Sequence, residues 1–263
     1  MNVLFIGDIV GKSGRQAVIN LVPEIKKEFN VQFVIANAEN CACGNGANFK
    51  CIEEMNGVVN AFTMGDHTWD QKGFESEITR INNLVRPANF HQSQPGKGFE
   101  IFRNAAGGEV AVISLMGKVF MRDSAYCPFE TVDKILKNDI PANVKNIFVD
   151  FHAEATSEKL AMGYFLDGRV TAVLGTHTHV QTNDGRILSN GTAMLTDVGM
   201  VGGDTSVLGR EVADVLNKFT SGMPGRLNVV EKGLIRLDGA IVTYNYQTGK
   251  AEKIQAISRY MEV

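Results

Sequence analysis

The run Val170-Thr171-Ala172-Val173-Leu174 constrains the chain more than any other stretch, because it leads straight into Gly175-Thr176-His177-Thr178-His179. A short, β-branched apolar run that stops at a glycine predicts a buried strand. Two imidazoles one residue apart at the end of that strand present neutral nitrogen donors from a rigid edge, which a transition metal can use. Two histidines make half a site. The rest of the chain has to supply the remainder.

The same form recurs along the chain. Residues 3–6 are an apolar strand ending at Gly7-Asp8, and a helical pattern succeeds it over about 15–29 with Ser13 as its N-cap. Residues 33–36 run into Asn37-Ala38-Glu39-Asn40, and a Gly/Asn-rich loop precedes a short helix at 49–55. Residues 58–63 end at Gly65-Asp66-His67, before a helix over roughly 71–81. Segments 100–103 and 110–115 read as a hairpin around Ala105-Ala106-Gly107-Gly108. A helix over about 129–136 precedes a hydrophobic strand at 146–151 that ends at His152. Residues 157–165 are helical, with Thr156 or Ser157 as cap. Beyond the histidine pair, strand 191–195 leads into Asp197-Val198-Gly199-Met200, and a helix covers 210–219. Segments 227–237 and 240–246 are predicted as two arms of a hairpin joined by Asp238-Gly239, with a last strand over 254–260. No linker composition, repeat or low-complexity tract interrupts the pattern. One domain over residues 1–263 is expected, with two stacked sheets and helices outside.

With 44% hydrophobic and 21% charged residues, the chain has the balance of a globular protein with ample core. A net charge of −3 leaves no electrostatic footprint for nucleic-acid backbones or anionic membranes. No apolar run is long enough to span a bilayer, and residues 1–8 enter a strand directly, without a basic leader; a cytoplasmic location is expected. Cys41-Ala42-Cys43 lacks the Cys-x-x-Cys spacing of zinc or redox sites, and with Cys51 and Cys127 these read as packing or incidental thiols.

The candidate ligands collect at strand ends: Asp8, Glu39 and Asn40, Asp66 and His67, His152, then His177 and His179. His91, in a polar loop, stands apart. In open α/β sheets the ligand crevice lies outside the carboxyl ends of the strands. Mixed oxygen and nitrogen donors suit iron, manganese or zinc, and about eight of them exceed what one ion takes. Two ions sharing a carboxylate use them well, with Glu39 the candidate bridge. Such a pair polarises a phosphoryl group, generates hydroxide near neutral pH and clamps both the attacking and the leaving oxygen.

In this order the motifs resemble the calcineurin-like metallophosphoesterases, and more closely their small bacterial branch, the YmdB-like phosphodiesterases. The resemblance spans nearly the whole chain, through Gly7-Asp8-Ile9-Val10-Gly11, Asn37-Ala38-Glu39-Asn40, Thr63-Met64-Gly65-Asp66-His67-Thr68-Trp69, His152-Ala153-Glu154-Ala155-Thr156-Ser157-Glu158-Lys159 and the Gly175–Gln181 segment. It implies a four-layer α/β/β/α sandwich of two mixed sheets, a binuclear centre and phosphodiester hydrolysis, with 2′,3′-cyclic nucleotides as substrate class and RNA ends as a second. Iron is the first expectation for the metal, with manganese or zinc as alternatives. Carried over by position, one ion falls to Asp8, Glu39, Asn40 and His179, and the other to Glu39, Asp66, His152 and His177. His67 would face the leaving oxygen as general acid, or stabilise charge on the phosphoryl group. Two departures stand out. Ile9-Val10 follow Asp8 where the superfamily has Asp-x-His, a vacancy Asn40 would fill, and Asp66 replaces the Asn of Gly-Asn-His, adding a negative charge.

Rival readings fail or differ in class. A phosphate loop requires Gly six positions before Lys12, where Ile6 stands. Deaminase chemistry at His152-x-Glu154 requires a downstream Pro-Cys-x-x-Cys, whereas Cys127-Pro128 lies upstream. Trp69 is a candidate base-stacking residue. A non-catalytic metal- and nucleotide-binding regulator acting through a partner is the alternative of a different class, and turnover separates the two. The antiparallel C-terminal strands could pair across subunits, which makes a homo-oligomer an expectation.

Overall fold

The computed structural model describes residues 1–104, 107–121 and 126–263. The chain opens with β1 (Asn2–Ile6), the short β2 (Asp8–Ile9) and α1 (Gly11–Glu28). It continues with β3 (Val31–Asn37), α2 (Phe49–Met55), β4 (Ala61–Thr63), α3 (Phe74–Glu77) and β5 (Leu84–Val85). A second group comprises β6 (Phe99–Arg103), β7 (Glu109–Met116), α4 (Pro128–Lys134), β8 (Ile147–His152), α5 (Thr156–Phe165), β9 (Ala172–Thr176), β10 (Arg186–Ile187) and β11 (Ala193–Leu195). The chain closes with β12 (Met200–Gly203), α6 (Val212–Ser221), β13 (Leu234–Tyr244) and β14 (Ala251–Glu262).

Two mixed sheets result. The larger has the order β2-β12-β13-β1-β3-β4-β5, with β14 paired to β13; the smaller runs β10-β11-β9-β8-β7-β6. The strands β1, β3, β4 and β5 are mutually parallel, as are β7, β8, β9 and β11, and antiparallel strands complete each sheet. Because side chains alternate along a strand, each sheet feeds two cores. Leu4 and Ile6 pack with Val18, Leu21 and Ile52 under α1 and α2. Val3 and Phe5 meet Phe148 and Leu174 between the sheets. Ile113, Val149 and Phe151 pack with Val132 of α4 and Met162 of α5. Helix, sheet, sheet, helix is the four-layer arrangement expected.

Several local expectations are corrected. Asp238-Gly239 is no hairpin turn but lies within the continuous β13, and residues 227–233 are not a strand. The dipeptide serves close packing instead. A Cβ on Gly239 would meet the Phe5 carbonyl oxygen at 2.6 Å. The Asp238 carbonyl accepts from Gly7 N–H, and its carboxylate accepts from the Ser258 hydroxyl at 2.7 Å. The chain reverses at residues 245–250, where Asn245 N–H donates to the Lys250 carbonyl. The helix expected over 71–81 shrinks to α3 and a 3-10 turn, Ile78–Arg80, because Gly73 takes a left-handed conformation (φ 87°) just before it. Ser13 lies inside α1 and donates to the Val230 carbonyl rather than capping, and Ala155 occupies the cap position of α5. The arms β6 and β7 pair as expected, while Ala105 and Ala106 of the proposed turn lie outside the described residues. Among the described residues no helix is long and apolar enough to cross a membrane.

Candidate metal centre

Every candidate ligand sits where a strand ends, at one edge shared by both sheets. Asp8 opens β2 directly after β1; Glu39 and Asn40 come after β3; Asp66 and His67 come after β4. From the smaller sheet, His152 closes β8, and His177 and His179 lie just past β9. The larger sheet thus brings the acids and the amide, and the smaller brings three imidazoles.

Four of these side chains converge tightly. Donor atoms of Glu39, Asp66, His152 and His177 lie within 4.8 Å of one another. His152 Nε2 is 3.1 Å from Glu39 Oε1 and 3.0 Å from Asp66 Oδ1. His177 Nδ1 stands 3.0 Å from His152 Nε2 and 3.4 Å from Asp66 Oδ1. The remaining three adjoin them. His179 Nε2 is 3.7 Å from Asp8 Oδ1, and Asn40 Nδ2 lies 3.1 Å from Glu39 Oε1 and 3.2 Å from His179 Nε2. The same amide turned over presents Oδ1 to the cluster. His67 stands at the rim, where its N–H donates to Glu39 Oε2 and its Nδ1 is 2.6 Å from Asp70 Oδ2.

Asp8 tests whether a cation fits. It is fully buried, yet Oδ1 has no hydrogen-bond partner. A buried, unpaired carboxylate oxygen is costly, and a cation removes that cost. Burial pushes the Asp8 carboxyl well above its usual value. Burial acts in the same sense on Glu39 and Asp66, but His152 holds Glu39 below its usual range, and hydrogen bonds from His152 and His177 hold Asp66 far below it. Burial lowers His152, but Glu39 and Asp66 outweigh it and hold the imidazole well above its usual value. Burial takes His179 down to about 4, which keeps it a neutral nitrogen donor. Three carboxylates and three imidazoles in one buried cluster form the mixed donor set that iron, manganese or zinc accepts.

The backbone is shaped for this convergence. A Cβ on Gly65 would meet Glu39 Oε2 at 2.2 Å and a His152 ring carbon at 2.3 Å, so only glycine fits there. His177 and His179 both adopt positive φ, 100° and 62°, a costly conformation for histidine. Asp197 straps their loop: its Oδ2 accepts from Thr178 N–H at 3.1 Å, from the Thr178 hydroxyl at 2.7 Å and from Lys159 Nζ at 2.8 Å. Lys159 also donates to the Thr176 carbonyl.

Sequence reasoning missed these supports. In the sequence Asp197 stands only as a residue after a strand, and Lys159 as a helix residue closing the His152–Lys159 motif, with no role for either. Asp150 lies buried between the sheets, where it accepts from Thr63, Thr176 and Asn37. Thr176 in turn stands 2.8 Å from His152 Nδ1, tying that ring to Asp150. Strand alternation alone could have flagged Asp150, a carboxylate inside an apolar run. Trp69, singled out for stacking, bonds Gln94 at 3.1 Å and packs beside Phe74, away from the cleft lining.

A cleft of 430 Å³ opens onto the cluster, lined by Glu39, Asn40, His67, His177 and His179 together with part of α6. The model of the YmdB-like protein family matches residues 4–257. The chain belongs to that family. It is 45% identical over 258 residues to a 2′,3′-cyclic-nucleotide 2′-phosphodiesterase of Bacillus subtilis, covering 98% of this chain and 96% of the relative. A solved structure described as a novel phosphatase from Mycoplasma pneumoniae superposes with a TM-score of 0.91 at 33% identity, covering 100% of this chain and 94% of the other. The calcineurin-like phosphoesterase YfkN of Bacillus subtilis, at 10% identity and a TM-score of 0.50 over 100% and 90% of the two chains, shares the fold.

Proposed function

We propose that this protein is a binuclear-metal phosphodiesterase acting on 2′,3′-cyclic nucleotides. The observation that carries the proposal is the orphaned Asp8 oxygen beside four converging donors. One ion is assigned to Asp8, Glu39, Asn40 and His179, the other to Glu39, Asp66, His152 and His177, with Glu39 shared. Iron is the first choice, and manganese or zinc the alternatives. Bound there, the ions would supply Lewis acidity toward the phosphoryl oxygens and a nucleophile from water at neutral pH.

The chain's own groups account for the rest. The reaction adds water across one P–O bond, opening the five-membered ring to a phosphomonoester and a free ribose hydroxyl. Asp70 holds His67 at Nδ1 and leaves Nε2 for the cleft, so His67 is the residue to give a proton to the departing ribose oxygen. Asp66 in place of the superfamily's Asn tightens cation binding and lessens the positive field at the substrate. RNA ends bearing the same cyclic ester form a second substrate class. The proposal extends to a single domain in the cytoplasm, which the four free thiols support, and to pairing of β14 across subunits.

Turnover tests the proposal. Protein loaded with Fe(II) or Mn(II) is expected to hydrolyse 2′,3′-cyclic AMP, and Glu39→Gln to lose that activity. A metal-replete wild type that consumes neither cyclic nor linear phosphodiesters would leave the regulator reading in its place.

A further inference from the structure

The cleft at the metal centre has a second wall with no part in the chemistry above. Val215, Lys218 and Phe219 stand at i, i+3 and i+4 on α6 and so share one face, and all three line the cleft with Leu208, Arg210 and Leu227. Phe219 is 79% exposed although it lies on the face that α6 shares with its one buried residue, Val215. This wall is fixed to the metal cluster through Leu208. Its carbonyl oxygen lies 3.2 Å from His179 Nδ1, with Leu208 at φ 53°, so the ring that offers Nε2 to the cluster is braced against the apolar wall. Arg210 fixes the wall from the other direction, donating to the Leu227 and Gly44 carbonyls and to Asn45 Oδ1. Among the described residues Arg210 and Lys218 form no ion pair, which leaves two positive charges beside the cleft.

We propose that this wall is the nucleobase subsite, with Phe219 as the stacking platform and Arg210 and Lys218 drawing the phosphoester toward the metals. The assignment rests on the phosphodiesterase reading and deepens it. Three observations favour a nucleobase as occupant. The apolar wall and the metal cluster line one continuous cleft, its volume of 430 Å³ suits a small ligand, and Arg210 and Lys218 bring to the lining two cations that a phosphoester can meet, beside the carboxylates of Glu39 and Glu154. Leu208, Val215, Phe219 and Leu227 carry no group that reads a base edge, so recognition comes from stacking, which every base can offer. Trp69, the aromatic residue that sequence reasoning selected for this task, is held elsewhere by Gln94.

The test compares 2′,3′-cyclic AMP with glycerol 1,2-cyclic phosphate, which has the same strained five-membered ester and no base. Wild type is expected to prefer the nucleotide through KM. Phe219→Ala should raise KM for the nucleotide roughly tenfold, the loss expected for one stacked base, and shrink the preference in kcat/KM between the two substrates by the same factor. Phe219→Trp should retain the preference. If wild type hydrolyses neither ester, the phosphodiesterase reading fails and the subsite with it. If wild type hydrolyses both equally well, or Phe219→Ala lowers both alike, the chemistry stands and the platform alone is overturned. A fall in light-scattering mass for Phe219→Ala, with the substrate preference unchanged, would give Phe219 to a contact between copies of the chain and overturn the platform as well.

Discussion

His177 Nε2 stands 3.1 Å from Glu154 Oε2, while Nδ1 of the same ring faces Asp66 Oδ1 at 3.4 Å. One nitrogen is held from outside, and the other is thereby aimed into the cluster. An outer carboxylate of this kind fixes the ring and its tautomer, and its loss typically costs about 10–100-fold in metal affinity. Glu154→Ala is therefore expected to fold normally and to bind Mn(II) more weakly by that factor in isothermal titration. Unchanged affinity would remove Glu154 from the site.

Lys159 and Asp197 form an ion pair at 2.8 Å with 4% and 2% of their side chains exposed. Removing one member of such a pair leaves a buried charge unpaired, at a cost of about 3–5 kcal/mol. Lys159→Met should lose stability of that order in urea unfolding. The double variant Lys159→Met/Asp197→Leu should regain part of it and still bind metal poorly, because Thr178 then lacks the acceptor for its N–H and hydroxyl. Wild-type metal affinity in the double variant would contradict the role of Asp197 as a strap.

His179 should cost the metal-free protein stability in mild acid, against an opposite contribution from His152, whose raised value favours the folded state as pH falls. His179 is depressed to about 4 by burial, whereas an unfolded chain takes up that proton near pH 6.5. The unfolded state therefore binds more protons in between. The stability due to His179 is complete above pH 6.5 and is lost as pH falls toward 4, by about 3 kcal/mol. Urea unfolding of metal-free wild type and His179→Gln at pH 7.5 and pH 5 isolates the effect: from the higher to the lower pH, wild type should lose more stability relative to the variant. Equal pH dependence in wild type and variant would contradict this account.

Gly65→Ala should disable the centre at its narrowest point, because the new methyl group would fall 2.2 Å from Glu39 Oε2. Equilibrium dialysis should find less bound Mn(II) than in wild type, and wild-type binding would show that the loop can give way.

Much of this architecture was legible in the sequence, for a physical reason. A strand buried between layers must be apolar, so an acid or imidazole just past its end marks the edge of the sheet; Asp8, Glu39, Asp66, His152 and His177 all announced themselves this way. Supports inside elements did not. Lys159 looks like any helix lysine, and its burial depends on Asp197, far away in sequence. Asp238-Gly239 misled because the same two residues suit a solvent-exposed turn and a crowded strand crossing, and only the approach of Phe5 distinguishes the two. Phe219 was legible as a helix residue and nothing more, since its significance comes from the cleft that it shares with His179.

Anomalous diffraction from crystals grown with Mn(II) tests the central claim most directly. Two peaks are expected, one among Asp8, Asn40 and His179 and one among Asp66, His152 and His177, with Glu39 ligating both ions. A single peak, or a pair that Glu39 does not bridge, would contradict the binuclear account.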